Sequence, residues 1–144
     1  MIIIIVMEAV RLEVVRKNSR KRDAILEVIR STTEHPNAEW IYSKVKPLYP
    51  ELSFATVYRN IKVFVENGEI ICVGTVNGQE RYDGTTRPHI HFICNSCGRV
   101  MDVGLDGKEE TLYARLENEL GIKVLSHNLS FSGLCAECLE KHNN

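Results

Sequence analysis

Two Cys-x-x-Cys pairs constrain this chain more than any other feature of its sequence. The first pair is Cys94 and Cys97, and the second is Cys135 and Cys138. Zinc prefers four tetrahedral ligands, and thiolates at this spacing form the two halves of a closed structural site. Two disulfides or buried thiols are the alternative. Because a site with four sulfur ligands has no open position, we expect this zinc to hold the C-terminal third together without performing chemistry.

Length and composition leave room for one ordinary domain or two small ones. The chain has 144 residues, and its 44% hydrophobic and 26% charged content is typical of a globular protein rather than a disordered one. The formal net charge is −1, so no overall positive field indicates a nucleic-acid partner. Basic residues are nevertheless concentrated between positions 16 and 22, where a DNA-binding surface and a solvated helix face are equally good explanations.

The cysteines and the N-terminus indicate where the chain acts. Five cysteines without a secretory signal favour a reducing compartment, and we expect the cytoplasm. The apolar run Ile2–Val6 is far shorter than the ~20 residues that cross a bilayer. Met1 and Met7 are both candidate start residues. Cys72 is not needed for the zinc site, and we interpret it as a small hydrophobic strand residue.

The first half of the chain has the pattern of a winged helix-turn-helix domain. Apolar residues recur at helical spacing, and the period then changes to the alternation of strands. The Asn77-Gly78 dipeptide, between candidate strands at residues 70–76 and 79–82, is the strongest short signal for a hairpin. Three helices followed by a hairpin are the order of that domain.

The segment that begins at Ser53 and ends at Gly68 predicts a helix that could read DNA. Ser53 suits an N-cap, and Gly68 suits the position just after the C-terminus. The face expected to pack inward carries Phe54, Val57, Ile61 and Val65, and the opposite face carries Ala55, Thr56, Tyr58, Arg59 and Lys62. Arg59 can contact guanine through two hydrogen bonds, and Tyr58 offers a ring to thymine methyl groups. An ordinary amphipathic helix is the alternative, but the adjacent hairpin favours DNA reading.

Further strands and a helix are expected beyond a linker at residues 84–88. Alternation predicts a hairpin in which residues 89–94 pair with residues 99–103 around the first cysteine pair. A helix from about Gly107 to Leu120 follows, with Asp106 and Glu109 spaced as a capping box. Residues 122–131 are interpreted as a strand, in which His127 alternates with apolar residues and is expected to be a core histidine.

A second metal site is predicted around two histidines in the hairpin. His89 and His91 are two residues apart in a strand, so their rings project from one face. If Asn95-Ser96 forms the turn, Asp102 lies opposite His89. This arrangement is a hypothesis that depends on the length of the turn.

Two residues outside the hairpin could complete this second site. Asp83 follows the Asn-Gly hairpin, and His35 lies in the loop before the helix at residue 38. Three imidazoles and two carboxylates suit Fe(II), Mn(II) or Zn(II). Taken singly, His35 would be an ordinary loop histidine and Asp83 a turn-forming residue.

Four segments of the sequence resemble the ferric uptake regulator (Fur) family, and the likeness runs from about Asn18 to Cys138. Ser-Phe-Ala-Thr-Val-Tyr-Arg-Asn-Ile at residues 53–61 is similar to the family's recognition helix. His-Pro-Asn-Ala-Glu at residues 35–39 is similar to its sensor loop. Arg-Tyr-Asp at residues 81–83, with Pro-His-Ile-His-Phe-Ile-Cys-Asn-Ser-Cys-Gly at residues 88–98, is similar to its metal core.

The resemblance implies a homodimer that binds an inverted repeat in double-stranded operator DNA when a regulatory metal site is filled. The implied regulatory ligands for Fe(II) or Mn(II), with Zn(II) a further candidate, are His35, Asp83, His89, His91 and Asp102. The implied structural zinc ligands are Cys94, Cys97, Cys135 and Cys138. DNA contacts are expected from Thr56, Tyr58, Arg59, Lys62, Arg20 and Arg22. Neither a membrane nor a small-molecule substrate is expected as a partner.

The predicted fold is therefore α+β, with two domains. Residues 1–84 would form a winged helix-turn-helix DNA-binding domain, and residues 85–144 a small α/β domain for dimerisation and metal binding with the four-cysteine zinc site. Where the family usually has Thr-Pro-x-Arg before its second helix, this chain has Ser19-Arg-Lys-Arg22. We expect a helix boundary there, with altered phosphate contacts.

Aspartate at both positions 83 and 102 is similar to the peroxide-responsive branch of the family, because iron-uptake regulators more often carry glutamate. The resulting prediction is a repressor that senses peroxide through Fe(II)-dependent oxidation of His35 or His89 and stays on DNA with Mn(II). The alternatives are a sensor of iron, manganese, zinc or nickel without redox chemistry, a non-haem iron enzyme, and a zinc-ribbon module with no role on DNA.

Overall fold

The structure is a computed structural model that describes residues 2–87, 89–104, 106, 108–125, 127 and 129–143. Side chains are described for the same residues apart from 2–5, 14–16 and 109. The chain divides into two compact units, Met1–Gly74 with Gln79–Thr86 and Thr75–Gly78 with Arg87–Asn144. The described elements confirm the predicted α+β class, while the predicted domain boundary after residue 84 stays a prediction. Among the described helices, none is both long enough and apolar enough to cross a membrane.

Three helices and a hairpin form the N-terminal part of the chain. Their bounds are α1 Ile2–Arg30, α2 Ala38–Val45, α3 Phe54–Glu66, β1 Ile71–Val76 and β2 Gln79–Asp83. The helices pack around one apolar core whose fully buried members include Ile25, Ile29, Ile41, Val57, Ile61, Phe64 and Tyr82. Asn77 and Gly78 both have positive φ, as a two-residue hairpin turn requires, so the predicted hairpin is confirmed.

The expected helix boundary at Ser19–Arg22 is wrong. These residues lie inside α1, which runs without interruption from Ile2 to Arg30. The physical reason is the absence of proline, which would remove a backbone donor and end the preceding helix. The basic cluster therefore lies along the side of one long helix.

Helix α3 begins and ends as its capping residues predict. Ser53 accepts a hydrogen bond from the Thr56 amide at 3.2 Å, and Gly68 has φ +72° just after the helix. The predicted inward face is confirmed for Val57, Ile61 and Val65, which pack in or against the core. It is wrong at Phe54, which is 41% exposed, and it omitted Phe64, which is fully buried. Phe54 is the first helical residue, where its ring stacks on Tyr58 with centroids 6.3 Å apart rather than reaching the core.

The C-terminal unit is built on a three-stranded sheet with strand order β4-β3-β5. Its elements are β3 Ile90–Cys94, β4 Val100–Val103, α4 Lys108–Leu120, β5 Ser130–Gly133 and α5 Ala136–Asn143. Strand β3 pairs antiparallel with β4 and parallel with β5. The predicted hairpin and α4 are confirmed, whereas the proposed capping box depends on Gly107 and the Glu109 side chain, which lie outside the described residues.

The predicted strand over residues 122–131 is wrong over most of its length. Of the described residues in this range, those before Ser130 lie outside a strand, and β5 (Ser130–Gly133) pairs with residues 91–94 of β3. Leu125 is 90% exposed, and His127 is half-buried against Tyr113, with ring centroids 4.9 Å apart. His127 is therefore not a core histidine. Residues 126 and 128 lie outside the described residues.

Candidate metal sites

Four cysteine sulfurs converge in the C-terminal unit. The Sγ atoms of Cys94, Cys97, Cys135 and Cys138 all lie within 4.8 Å of one another. Sulfur ligands ~2.3 Å from a tetrahedral zinc are about 3.8 Å apart, and the Sγ atoms of Cys97 and Cys135 are separated by 3.8 Å. All five cysteines are free thiols, so the disulfide alternative does not occur. The cluster suits one structural zinc ion.

Backbone hydrogen bonds at the first cysteine pair favour the thiolate form that binds zinc. The Cys94 amide donates to the Arg99 carbonyl, the Gly98 amide donates to the Cys94 carbonyl, and Gly98 takes φ +73°. Hydrogen bonds from the backbones of Cys97 and Cys135 lower the pKa of the Cys94 thiol to about 6. The thiolate is the form that binds metal, so this turn favours the ligand state. The second pair lies at the start of α5, where Cys135 is buried.

The two histidines of the hairpin converge with Asp102 in the same unit. The Nε2 atoms of His89 and His91 are 2.9 Å apart, and each lies 3.3 Å from Asp102 Oδ1. The predicted register is wrong, because Asp102 pairs with His91 rather than with His89. The turn contains four residues, 95–98, since Cys94 bonds to Arg99 across it, and the prediction assumed two. The carboxylate still reaches both rings.

A second His/Asp pair lies in the N-terminal unit. His35 Nε2 is 3.3 Å from Asp83 Oδ2, and the two side chains are 2% and 6% exposed. The other carboxylate oxygen of Asp83 accepts a hydrogen bond from the Thr85 amide at 2.8 Å, which fixes its orientation. Nitrogen and oxygen ligands of this kind suit Fe(II), Mn(II) or Zn(II). The donors within each unit, an imidazole beside a carboxylate, are therefore of a chemical type that suits such an ion.

The sequence matches the Ferric uptake regulator family over residues 13–132. The chain belongs to this family. The peroxide operon regulator of Bacillus subtilis is 36% identical over 124 residues, which cover 86% of this chain and 85% of that protein. The peroxide-responsive repressor PerR of Staphylococcus epidermidis is 31% identical over 85% of this chain and 81% of its own. The crystal structure of the Campylobacter jejuni peroxide stress regulator superposes with a TM-score of 0.78 at 28% identity, covering 92% of this chain and 98% of that one.

Ferric uptake regulator proteins are metal-sensing repressors, and the resemblance seen in the sequence is confirmed. Loop 31–37 of this family member is held by strand β2. Arg81 donates to the carbonyls of Glu34, at 2.8 Å, and of His35, and the Tyr82 amide donates to the Pro36 carbonyl at 3.0 Å. Sequence reasoning placed Arg81 in a family motif but assigned it no role. When a side chain donates to carbonyl groups that are distant in the sequence, the residues next to it show no pattern that would reveal the contact.

The residues expected to contact DNA lie on α1 and α3. Tyr58, Arg59 and Arg20 are exposed, and the Thr56 hydroxyl bonds to that of Ser53 at 2.9 Å. Two of the basic residues are engaged by carboxylates. Lys62 Nζ is 2.6 Å from Glu80 Oε2, and Arg22 Nη2 is 2.8 Å from Glu69 Oε2. Sequence reasoning missed Glu80 and Glu69. Their contacts link separate elements of the family fold, and only the three-dimensional arrangement reveals them.

Proposed function

We propose that the chain is a transcriptional repressor that binds operator DNA as a homodimer when metal is bound, and that it releases DNA in response to peroxide. The observation that carries the proposal is that each unit holds a histidine nitrogen 3.3 Å from an aspartate oxygen, beside a separate four-thiol cluster. Family membership and the names of the two relatives support the same reading.

The thiol cluster and the His/Asp residues would have different roles. Zinc held by Cys94, Cys97, Cys135 and Cys138 would be structural, because no ligand position remains open. Fe(II) or Mn(II), with Zn(II) a further candidate, would be held by His35 and Asp83 from one unit and by His89, His91 and Asp102 from the other. This joint site follows the family resemblance.

Shared ligands would couple metal binding to DNA binding. His35 and Asp83 belong to the unit that carries α3, whereas His89, His91 and Asp102 belong to the unit proposed to dimerise. If all five bind one ion, occupancy restricts the orientation of α3 with respect to its copy in the dimer. Metal can shift this equilibrium only by its preference for the DNA-binding arrangement.

The histidine ligands would also be the peroxide-sensitive groups. When bound there, Fe(II) supplies the electrons that activate peroxide, whereas Mn(II) does so far less readily. The ring of His35 or His89 would take one oxygen atom from the peroxide, and the other oxygen would leave as water. An oxidised imidazole is a poor ligand, so the two units would lose their connection and DNA would be released.

The exposed surfaces are consistent with DNA and with a second copy of the chain. Arg59 and Tyr58 are exposed on α3, where they could contact guanine and thymine in the major groove. In the C-terminal unit, Leu120, Leu125 and Phe131 are 64%, 90% and 60% exposed. These side chains leave apolar area that a second copy of the chain could cover, as the homodimer implied by the family would require. These features favour a regulator over an enzyme.

Two measurements test the proposal. Gel shifts on genomic fragments with and without Mn(II) should show binding of an operator that depends on the metal, and an enzyme or a protein-binding module should show none. Intact-protein and peptide mass after Fe(II) and peroxide should show one added oxygen on the peptide of His35 or of His89, with Mn(II)-loaded protein as the control. Release of DNA without that oxygen would favour a metal sensor lacking redox chemistry.

A further inference from the structure

We propose that Arg81 is a positioning residue that holds the loop at residues 34–36 so that the ring of His35 faces Asp83. The inference rests on the proposed function, because it concerns a ligand of the regulatory metal. The contacts that support it all lie within the N-terminal unit, so they are independent of how metal connects the two units.

Consecutive loop residues are bonded to consecutive residues of strand β2. The Arg81 guanidinium donates to two successive carbonyls, those of Glu34 at 2.8 Å and of His35. The Tyr82 amide donates to the Pro36 carbonyl at 3.0 Å. Asn37, which caps α2 by accepting from the Trp40 amide, also donates to the Gln79 side chain. Of these contacts, the hydrogen bond from Arg81 is the one that reaches the backbone of residue 35 itself.

His35 needs such support because its backbone is strained. Its φ is +51°, in the left-handed region that a residue with a side chain rarely adopts. Strained conformations of this kind persist only where the surroundings impose them. Without the two bonds to its carbonyl and to that of Glu34, residue 35 would relax toward negative φ. Its ring would then turn away from the Asp83 carboxylate, which Thr85 holds in place.

Relaxation of the loop would weaken metal binding without removing any ligand. A metal that needs the ring of His35 beside Asp83 binds only the fraction of molecules in that conformation, and the apparent dissociation constant rises as the fraction falls. Once the restraint is removed, relief of this strain favours the relaxed conformation. The fraction of molecules able to bind metal should then fall roughly tenfold. Arginine suits this role better than lysine, because its planar fork can donate to two neighbouring carbonyls at once.

The test compares Mn(II) affinity of full-length dimers that retain structural zinc. Arg81→Met should weaken Mn(II) binding roughly tenfold by calorimetry, and Arg81→Lys should fall between it and the wild type. Removal of the positive charge of Arg81 would by itself strengthen the binding of a cation. A weaker affinity for Mn(II) therefore cannot be a charge effect. Arg115 is an exposed residue of α4 that is distant in the sequence from Arg81. Arg115→Met removes the same charge and should bind Mn(II) as the wild type does.

A double-mutant cycle with His35→Ala separates this inference from the proposed function. In the His35→Ala background, Arg81→Met should have no further effect on Mn(II) affinity, because the ring to be positioned is gone. A persisting effect there, or wild-type affinity in Arg81→Met, would overturn the inference. Equal affinity of His35→Ala and wild type would instead contradict the proposed function. Hydrogen exchange in metal-free protein should be faster at the amides of His35 and Asn37 in Arg81→Met, and Arg81→Lys serves if the methionine variant does not fold.

Discussion

The carboxylate of Glu80 on strand β2 lies 2.6 Å from the ammonium group of Lys62 on helix α3. The same carboxylate oxygen accepts from the Tyr82 hydroxyl at 3.0 Å and lies 3.5 Å from that of Tyr58. One acidic residue of the hairpin therefore holds two residues expected to contact DNA. It also pairs with one of the positive charges on α3.

Glu80→Gln should free Lys62 to contact phosphate. Non-specific DNA affinity should rise at low salt, and the slope of log affinity against log salt should steepen by about one unit. Fluorescence anisotropy at several salt concentrations measures both quantities. In the Glu80→Gln background, Lys62→Met should return the slope to its original value, and an unchanged slope in the single variant would contradict this role for Glu80.

The same ion pair gives a defined dependence of stability on pH. The hydrogen bond that Lys62 donates to Glu80 lowers the pKa of Glu80 from 4.5, and the same bond raises the pKa of Lys62 from 10.5. The Glu80 contribution is therefore present above pH 4.5 and lost as the pH falls through the lowered pKa, and the Lys62 contribution is lost as the pH rises through the raised one. Both side chains are 38% exposed. The stability difference between wild type and Glu80→Gln should be at most about 1 kcal/mol at neutral pH and should shrink in acid and in alkali. Urea unfolding across pH measures it.

Loss of zinc should unfold the C-terminal unit and leave the N-terminal one folded. The apolar core cluster lies in the N-terminal unit, whereas the buried residues that the structure describes after residue 87 include few large apolar side chains. Zinc binding contributes about 10–16 kcal/mol to small zinc domains. Cys97→Ser should therefore lose zinc and become sensitive to proteolysis after residue 87. Cys72→Ser, which removes a thiol outside the cluster, should retain both zinc and resistance.

Substitution of the proposed regulatory ligands should abolish the effect of Mn(II) on DNA binding while structural zinc remains. His91→Ala removes a buried ring next to Asp102, so the ratio of DNA affinities with and without Mn(II) should fall to about one from the 5–150-fold typical of coupled sites. His142→Ala, an exposed histidine of α5, should keep the wild-type ratio. Zinc content is measured on the same samples. A normal ratio in His91→Ala would remove this residue from the proposed site.

The exposure of Phe54 and the burial of Phe64 predict unequal costs of truncation. Phe64→Ala should lower the free energy of unfolding by about 3–5 kcal/mol, because it empties a fully buried site. Phe54→Ala should lower it by about 1 kcal/mol, since that ring is 41% exposed. Chemical denaturation measures both. Similar costs for the two would contradict the packing of α3.

Features set by short-range rules could be predicted from the sequence. The cysteine pairs, the Asn77-Gly78 turn and the Ser53 cap each depend on residues a few positions apart, and all three lie as expected. Features that depend on a partner element could not. The pairing of Asp102 required the true length of the turn after Cys94, and the start of β5 depended on where the chain meets β3.

The missed residues have a common physical cause. Arg81 and Glu80 act on groups that are distant in the sequence, a backbone carbonyl in one case and a lysine on another element in the other. Neither kind of contact requires a fixed spacing between the two residues along the chain, so a single sequence does not reveal it. The wrong boundary within α1 had a different origin, because a family pattern was applied where its proline is missing.

The uninterrupted course of α1 changes how this chain can hold a phosphate group. A helix that began near residue 20 would offer unpaired amide groups and the positive end of its dipole. Here those amides are hydrogen-bonded inside the helix, so in the proposed complex with DNA a phosphate at this point would be contacted by flexible side chains such as Arg20. Phosphate binding by these side chains should tolerate shifts in the path of the duplex and should weaken steeply as the ionic strength rises. A mobile charge behaves in this way, whereas an amide held in one orientation does not.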